Sequence, residues 1–240
     1  KKRLLPITHA LHRELERRYR PVLPDGQVVI APDGVDLERY EHLPEPEPAR
    51  RQLGLPPGLT VACTGHLYAG RGVDLFLAMA ARFPKTNFLW VGGRPQDVNE
   101  RRSRAAACGL QNVTFTGFLP NERIPLYQAA ADILLMPYER MVSTSSGGNT
   151  AEICSPMKMF EYMAAGRAIL SSDLAVLREV LNKDNAVFCP PGDAGVWEKS
   201  LSVLLADSKR RQVLGRSARA DVKGYSWVAR ARRILENFNG

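Results

Sequence analysis

The chain has 240 residues, is 45% hydrophobic and 24% charged, and carries a formal net charge of +8. That composition supplies a large core and excludes an intrinsically disordered chain. No apolar run approaches the ~20 residues of a membrane-spanning helix, and no secretory signal is visible. The cysteines Cys63, Cys108, Cys154 and Cys189 are widely spaced with no CxxC pattern, so free thiols in a reducing, cytoplasmic compartment are expected. The first residue is lysine, so a processed or partly represented chain is expected.

In chain order, a strand-like LLPIT leads into a helix-like HALHRELERRY. A second strand, Val28–Ala31, runs into the turn Pro32-Asp33-Gly34. The proline- and acid-rich stretch from Glu41 to Pro48 reads as a surface linker. An apolar strand from Leu59 to Gly65 follows, then a glycine-bearing loop and a helix over Val73–Phe83. Strands are expected over Asn87–Gly93, Asn112–Gly117 and Asp132–Tyr138, with helices near Gln96–Cys108 and from a cap at Asn121 to Ala131. A long serine- and glycine-rich loop comes next and is expected to be mobile without ligand. A further helix spans Ser155 to Gly166. Then come the strand AIL, a helix near Ala175–Leu181, the strand AVFCP and a helical tail from Asp193 to Phe238.

Strands alternating with helices predict an α/β fold, a Rossmann-like parallel sheet with helices on both faces. Ligands of such sheets bind beyond the carboxyl ends of the strands. Four polar or glycine-bearing loops fall there: Gly65–Gly72, Gly92–Gly93, Gly117–Pro120 and Tyr138–Lys158. In the first, Gly65, Gly70 and Gly72 allow close backbone approach, and Arg71 offers a cationic fork for phosphate. His66 beside them either lines the site or faces solvent.

The helix SPMKMFEYMAAG carries the most chemistry. Ser155 is a good N-cap, Pro156 suits the first helical position, and Gly166 stops the helix. Met157, Phe160 and Ala164 fall on one apolar face, with Lys158 and Glu161 on another. A positive helix end with a lysine suits a phosphate. A carboxylate roughly 5 Å further along the axis suits sugar hydroxyls. Together they suit a nucleoside diphosphate followed by its ribose. A solvated Lys–Glu surface pair is the other reading of this helix alone.

Basic clusters at Lys1–Lys2–Arg3, Arg17–Arg18–Arg20, Lys209–Arg210–Arg211 and Arg230–Arg232–Arg233 suit nucleic acid, anionic lipid or a phosphorylated substrate. No RNA-recognition signature or zinc-finger spacing appears, so nucleic acid is not expected.

The ordered succession PDGVDLERY, TGHLYAGRGVD, WVGG, FTGFLP, ADILLMPY, SPMKMFEYMAAGRAILSSD, VFCPPGD and YSWVARARRILENF resembles the retaining glycosyltransferases of family four, also called group 1, which have the GT-B fold. The likeness runs through nearly the whole chain, mainly as the carboxy-terminal donor-binding domain. It implies that residues 1–22 are a remnant of the amino-terminal acceptor domain, 23–225 the Rossmann-like donor domain, and 226–240 a crossover helix. Arg71 stands where the family usually has a lysine contacting donor phosphates, and His66 where many members have arginine. Main-chain groups near Gly117, Phe118 and Leu119 would meet the base, and Ser155, Pro156, Met157 and Lys158 would cap the pyrophosphate. Glu161 matches the ribose-binding second glutamate of the family's E-x7-E motif, whereas the first falls on Ile153.

The resemblance therefore implies metal-independent, retaining transfer of a sugar from a nucleotide-diphosphate donor to a glycan, lipid-linked or small-molecule acceptor. Arg71 and Lys158 would stabilise the leaving diphosphate, with no cofactor and no assigned general base. With most of the acceptor domain outside this chain, donor binding without transfer is expected. The resemblance implies the donor and the amino-terminal domain as partners; the basic charge adds a peripheral contact with the inner face of an anionic membrane. A non-catalytic nucleotide-sugar binding module and a GT-B nucleotide-sugar epimerase are the alternatives.

Overall fold

The computed structural model describes residues 3–19, 27–142 and 149–236. Six parallel strands form one sheet: β1 (Thr60–Thr64), β2 (Asn87–Val91), β3 (Val113–Phe115), β4 (Ile133–Met136), β5 (Ala168–Ser172) and β6 (Val187–Cys189). Their spatial order is β3-β2-β1-β4-β5-β6. The chain builds outward from β1 to β3, then returns to place β4 on the other side of β1. That reversal opens a crevice at the carboxyl ends of β1 and β4.

The short apolar runs make strands because both of their faces are buried. Along β1, Val61 and Cys63 enter one core while Ala62 enters the other. The first core holds Phe88, Trp90, Ile133 and Leu135 against α3 (Val73–Arg82) and α7 (Ala194–Ala206). Phe76 packs edge-on to Phe88 and Trp90, with ring centroids 5.4 and 5.2 Å away. The second core sets Leu89, Leu134 and Ile169 against α6 (Met157–Ala165). α4 (Pro95–Ala107) and α5 (Ile124–Ala129) complete the crossovers, and α8 (Ser208–Asp221) and α9 (Trp227–Leu235) form the tail. All four cysteines are free, and Cys63 and Cys189 are buried as their apolar runs require. Among the described residues, no helix is long and apolar enough to cross a membrane.

The amino-terminal pieces lie outside the sheet. Leu4 and Val28 form an isolated parallel bridge, supported by Leu4 N–H to Gln27 O and Ala31 N–H to Pro6 O. The first helix, α1 (His9–Tyr19), forms where its pattern predicts. Arg3 Nη1 donates to Ile234 O and Glu236 O, so the two described ends of the chain meet.

Several local expectations need correcting. The stretch Glu41–Pro48 is not all linker: α2 (Pro46–Leu53) starts within it. Proline at the first helical position is pre-set for a helix, and Ala49 and Arg50 are buried by the packing. Asn121 begins a 3-10 turn, 121–123, and does not cap α5. Between Ala175 and Leu181 only a 3-10 turn forms. Ser155 does not cap α6. Pro156 takes the cap position with ψ 118°, outside the helix, and Ser155 Oγ instead accepts from Asp33 N–H at 3.2 Å. Met157 is exposed, while Met159, Phe160 and Met163 form the buried face. Residues 143–148 of the long loop lie outside the described residues.

Candidate active site

Three loops leave the carboxyl ends of β1, β2 and β3 and meet the start of α6 around a cleft of about 440 Å³. That is the size of a small-molecule site. The loop after β1 turns at Gly65, whose N–H donates to Val91 O at 2.8 Å and draws it toward the end of β2. It closes at Gly72, which has φ +79° and precedes α3. A Cβ there would lie 1.9 Å from Pro137 O, so only glycine lets this loop press on the exit of β4.

The cations sit at one end. Arg71 Nη1 donates to Tyr138 Oη at 2.7 Å, and its guanidinium carbon lies 5.0 Å from the Tyr138 ring centroid. Lys158 Nζ lies 4.8 Å from the same centroid and donates to Thr64 O at 2.9 Å. Tyr138 is buried, so two positive groups are held against one fixed ring. Among the described residues, Arg71 Nε is buried with no hydrogen-bond partner. Cys63 Sγ is 3.8 Å from Lys158 Nζ, but burial pushes its thiol up and keeps it neutral. Neither cation is neutralised by these contacts.

The carboxylate sits at the other end. Glu161 is one turn along α6 from Lys158 and does not pair with it. Its Oε2 accepts from Gln128 Nε2 at 3.0 Å. Gln128, fully buried on α5, accepts in turn from Tyr40 Oη at 2.9 Å. Burial, then the Glu161 charge, pushes the Tyr40 hydroxyl well up, so it stays protonated. α6 itself is pinned to β1 because Thr64 N–H donates to Tyr162 Oη at 2.7 Å.

Of the residues singled out in the sequence, Gly65, His66, Arg71, Phe118, Leu119, Pro156, Met157, Lys158 and Glu161 line this one cleft. His66 stacks on Tyr68, ring centroids 4.8 Å apart. Phe118 is 75% exposed at the mouth. Gly70, Gly72, Gly117 and Ser155 stand off the wall. Gly70 and Gly72 pack on the backbone of Met141 and Pro137, and Gly117 bridges to Gly92. Ser155 faces a smaller cavity of about 340 Å³, which Ile153 and Arg71 also line. Among the described residues, no group of three His, Cys, Asp or Glu side chains is placed to hold a metal.

Tyr138 and Gln128 are the residues that sequence reasoning missed. Tyr138 ends an expected strand and gave the weak signal of an aromatic at a loop mouth. Gln128 was a lone amide in an otherwise apolar helix, LYQAAA.

The family model described as Glycosyl transferases group 1 matches residues 58–207. A curated relative, the 2-deoxystreptamine N-acetyl-D-glucosaminyltransferase of Streptomyces fradiae, is 27% identical over 244 residues, 98% of this chain and 51% of that protein. The chain spans about half the length of the curated relatives it matches. Among solved structures, sucrose-phosphate synthase of Thermosynechococcus elongatus matches with TM-score 0.76 and 25% identity, covering 97% of this chain and 56% of that one. The Anabaena protein HepE, solved with UDP and glucose, shares the fold with TM-score 0.80 at 17% identity, covering 100% of this chain and 63% of that one.

Proposed function

The chain belongs to the group 1 glycosyl transferases, and from that premise we propose that it is the donor-binding half of a retaining enzyme. That enzyme moves a sugar from a nucleoside-diphosphate donor to a hydroxyl of a glycan, lipid-linked or small-molecule acceptor. One observation carries the reading: a single cleft keeps two unneutralised cations at one end and a carboxylate one helical turn away. That spacing suits a diphosphate and its ribose. The Anabaena protein of the same fold, solved with UDP and glucose, supports a nucleotide-sugar donor.

Arg71 and Lys158, together with the amino-terminal end of α6, offset the diphosphate charge as the glycosidic bond breaks. Glu161 accepts from the ribose hydroxyls, and the main chain at Phe118 and Leu119 meets the base. The transition state is oxocarbenium-like. The acceptor hydroxyl attacks on the face the diphosphate leaves, and the departing diphosphate takes its proton. The chemistry needs no metal, and the acceptor is held by a domain beyond these residues. The +8 charge suits work at an anionic membrane surface on the cytoplasmic side.

Titration calorimetry with UDP, GDP, ADP and inorganic pyrophosphate tests this assignment. At least one nucleoside diphosphate should bind. Glu161→Gln replaces a carboxylate by an amide with one acceptor oxygen, so it should weaken that nucleotide by about 1 kcal/mol and leave pyrophosphate unchanged. Equal loss for both ligands rejects the ribose role. No binding of any nucleotide rejects the donor site.

A further inference from the structure

Gln128 is an amide with no exposed surface, on a helix whose neighbours Tyr127 and Ala129 belong to the core. A buried amide is costly unless both of its ends are paired. Here both ends are paired, and to distant segments: Tyr40 lies 88 residues away and Glu161 lies 33 away. The 3-10 turn Leu37–Tyr40 and α5 thus both serve the orientation of one carboxylate.

The proton pattern has a single direction. A carboxylate oxygen only accepts, so Gln128 must turn its NH₂ to Glu161 and its carbonyl to Tyr40. Tyr40 must then donate, and its buried hydroxyl keeps the proton that this requires. Glu161 is therefore held from behind through Oε2, which leaves Oε1 for the cleft it lines. A fixed acceptor at that depth meets a ligand carrying hydroxyl donors. A sugar that has lost one such hydroxyl leaves part of this acceptor capacity unused.

Resting on Glu161 as the ribose ligand, we propose that Tyr40 and Gln128 are positioning residues that aim Glu161 at the ribose diol and make the site select ribonucleotides over 2′-deoxyribonucleotides. Without the Tyr40 hydroxyl, the buried Gln128 carbonyl has lost its donor, so the amide shifts toward another partner and carries Glu161 off its aim. Without the amide, Glu161 loses its only described anchor.

The test is calorimetry on the 240-residue chain with UDP, GDP and ADP, each beside its 2′-deoxy counterpart, and with inorganic pyrophosphate. The wild-type chain should favour the ribose form of its nucleotide by about tenfold. Tyr40→Phe and Gln128→Met should each cut that preference to about threefold or less, with pyrophosphate affinity held within about twofold. Tyr40→Phe keeps the buried ring and decides the question if Gln128→Met does not fold. A wild-type chain indifferent to the 2′-hydroxyl overturns the proposal, as does a preference that survives in the folded variants. So does a matching loss of pyrophosphate, which marks general loosening. If no nucleotide binds the wild type, the donor reading fails and takes this proposal with it.

Discussion

The two ends of the cleft hold opposite charges by different means. At the cation end, Arg71 and Lys158 rest on a tyrosine ring and a backbone carbonyl, partners that fix position but carry no charge. At the carboxylate end, Glu161 is fixed by a buried relay of neutral donors through Gln128 and Tyr40. Lys158 and Glu161 are three residues apart on one helix, a spacing at which such side chains often pair. Here each is drawn to a neutral partner instead. Both ends therefore keep their charge for a ligand, and a site of two signs survives on one helix.

Emptying the cation end separates the two ends most strongly. The double variant Arg71→Ala with Lys158→Ala should cost pyrophosphate about 3 kcal/mol of binding, as expected when charge-assisted contacts are lost. Calorimetry at physiological salt reads it, and unchanged affinity would mean the cations do not meet a diphosphate.

Gly72→Ala is a gentler probe, since it keeps both charges and shifts only the loop that carries Arg71. Its φ of +79° and the 1.9 Å approach to Pro137 O should cost about 2 kcal/mol of folding stability. Chemical denaturation checks that figure. The variant should weaken pyrophosphate while the preference for ribose over deoxyribose persists.

The smallest effect should come from the joint that both ends share. Tyr162→Phe leaves the buried Thr64 N–H without its acceptor and should cost about 1 kcal/mol. Burial pushes the Tyr162 hydroxyl well above its ordinary value of 10.0. As pH rises past that value the unfolded chain sheds the proton first, so this group makes stability fall with rising pH. The phenylalanine variant should show a flatter stability curve above pH 10.0, measured by urea unfolding across the alkaline range.

The alternation of strands and helices, the loops at the strand ends, and the helix bearing Lys158 and Glu161 are legible along the chain. Those features rest on hydrophobic period and turn chemistry, which act over a few residues. Gly166 stops α6 with φ +65°, as a glycine after a helix should. Local signals misled where a neighbour in space competed. Ser155 had the chemistry of a cap, yet its hydroxyl serves Asp33 and the helix starts after Pro156. The prolines after Glu41 read as linker until packing on Ala49 and Arg50 made them a helix start. Which ring holds the cations and which amide aims the carboxylate comes from long-range packing. Arg71 and Tyr138 are 67 residues apart, and Tyr40 and Gln128 are 88. Pairings at that range leave no periodic trace in the chain, because they arise only when the parallel sheet brings the ends of β1 and β4 together and packs α5 and α6 over one face.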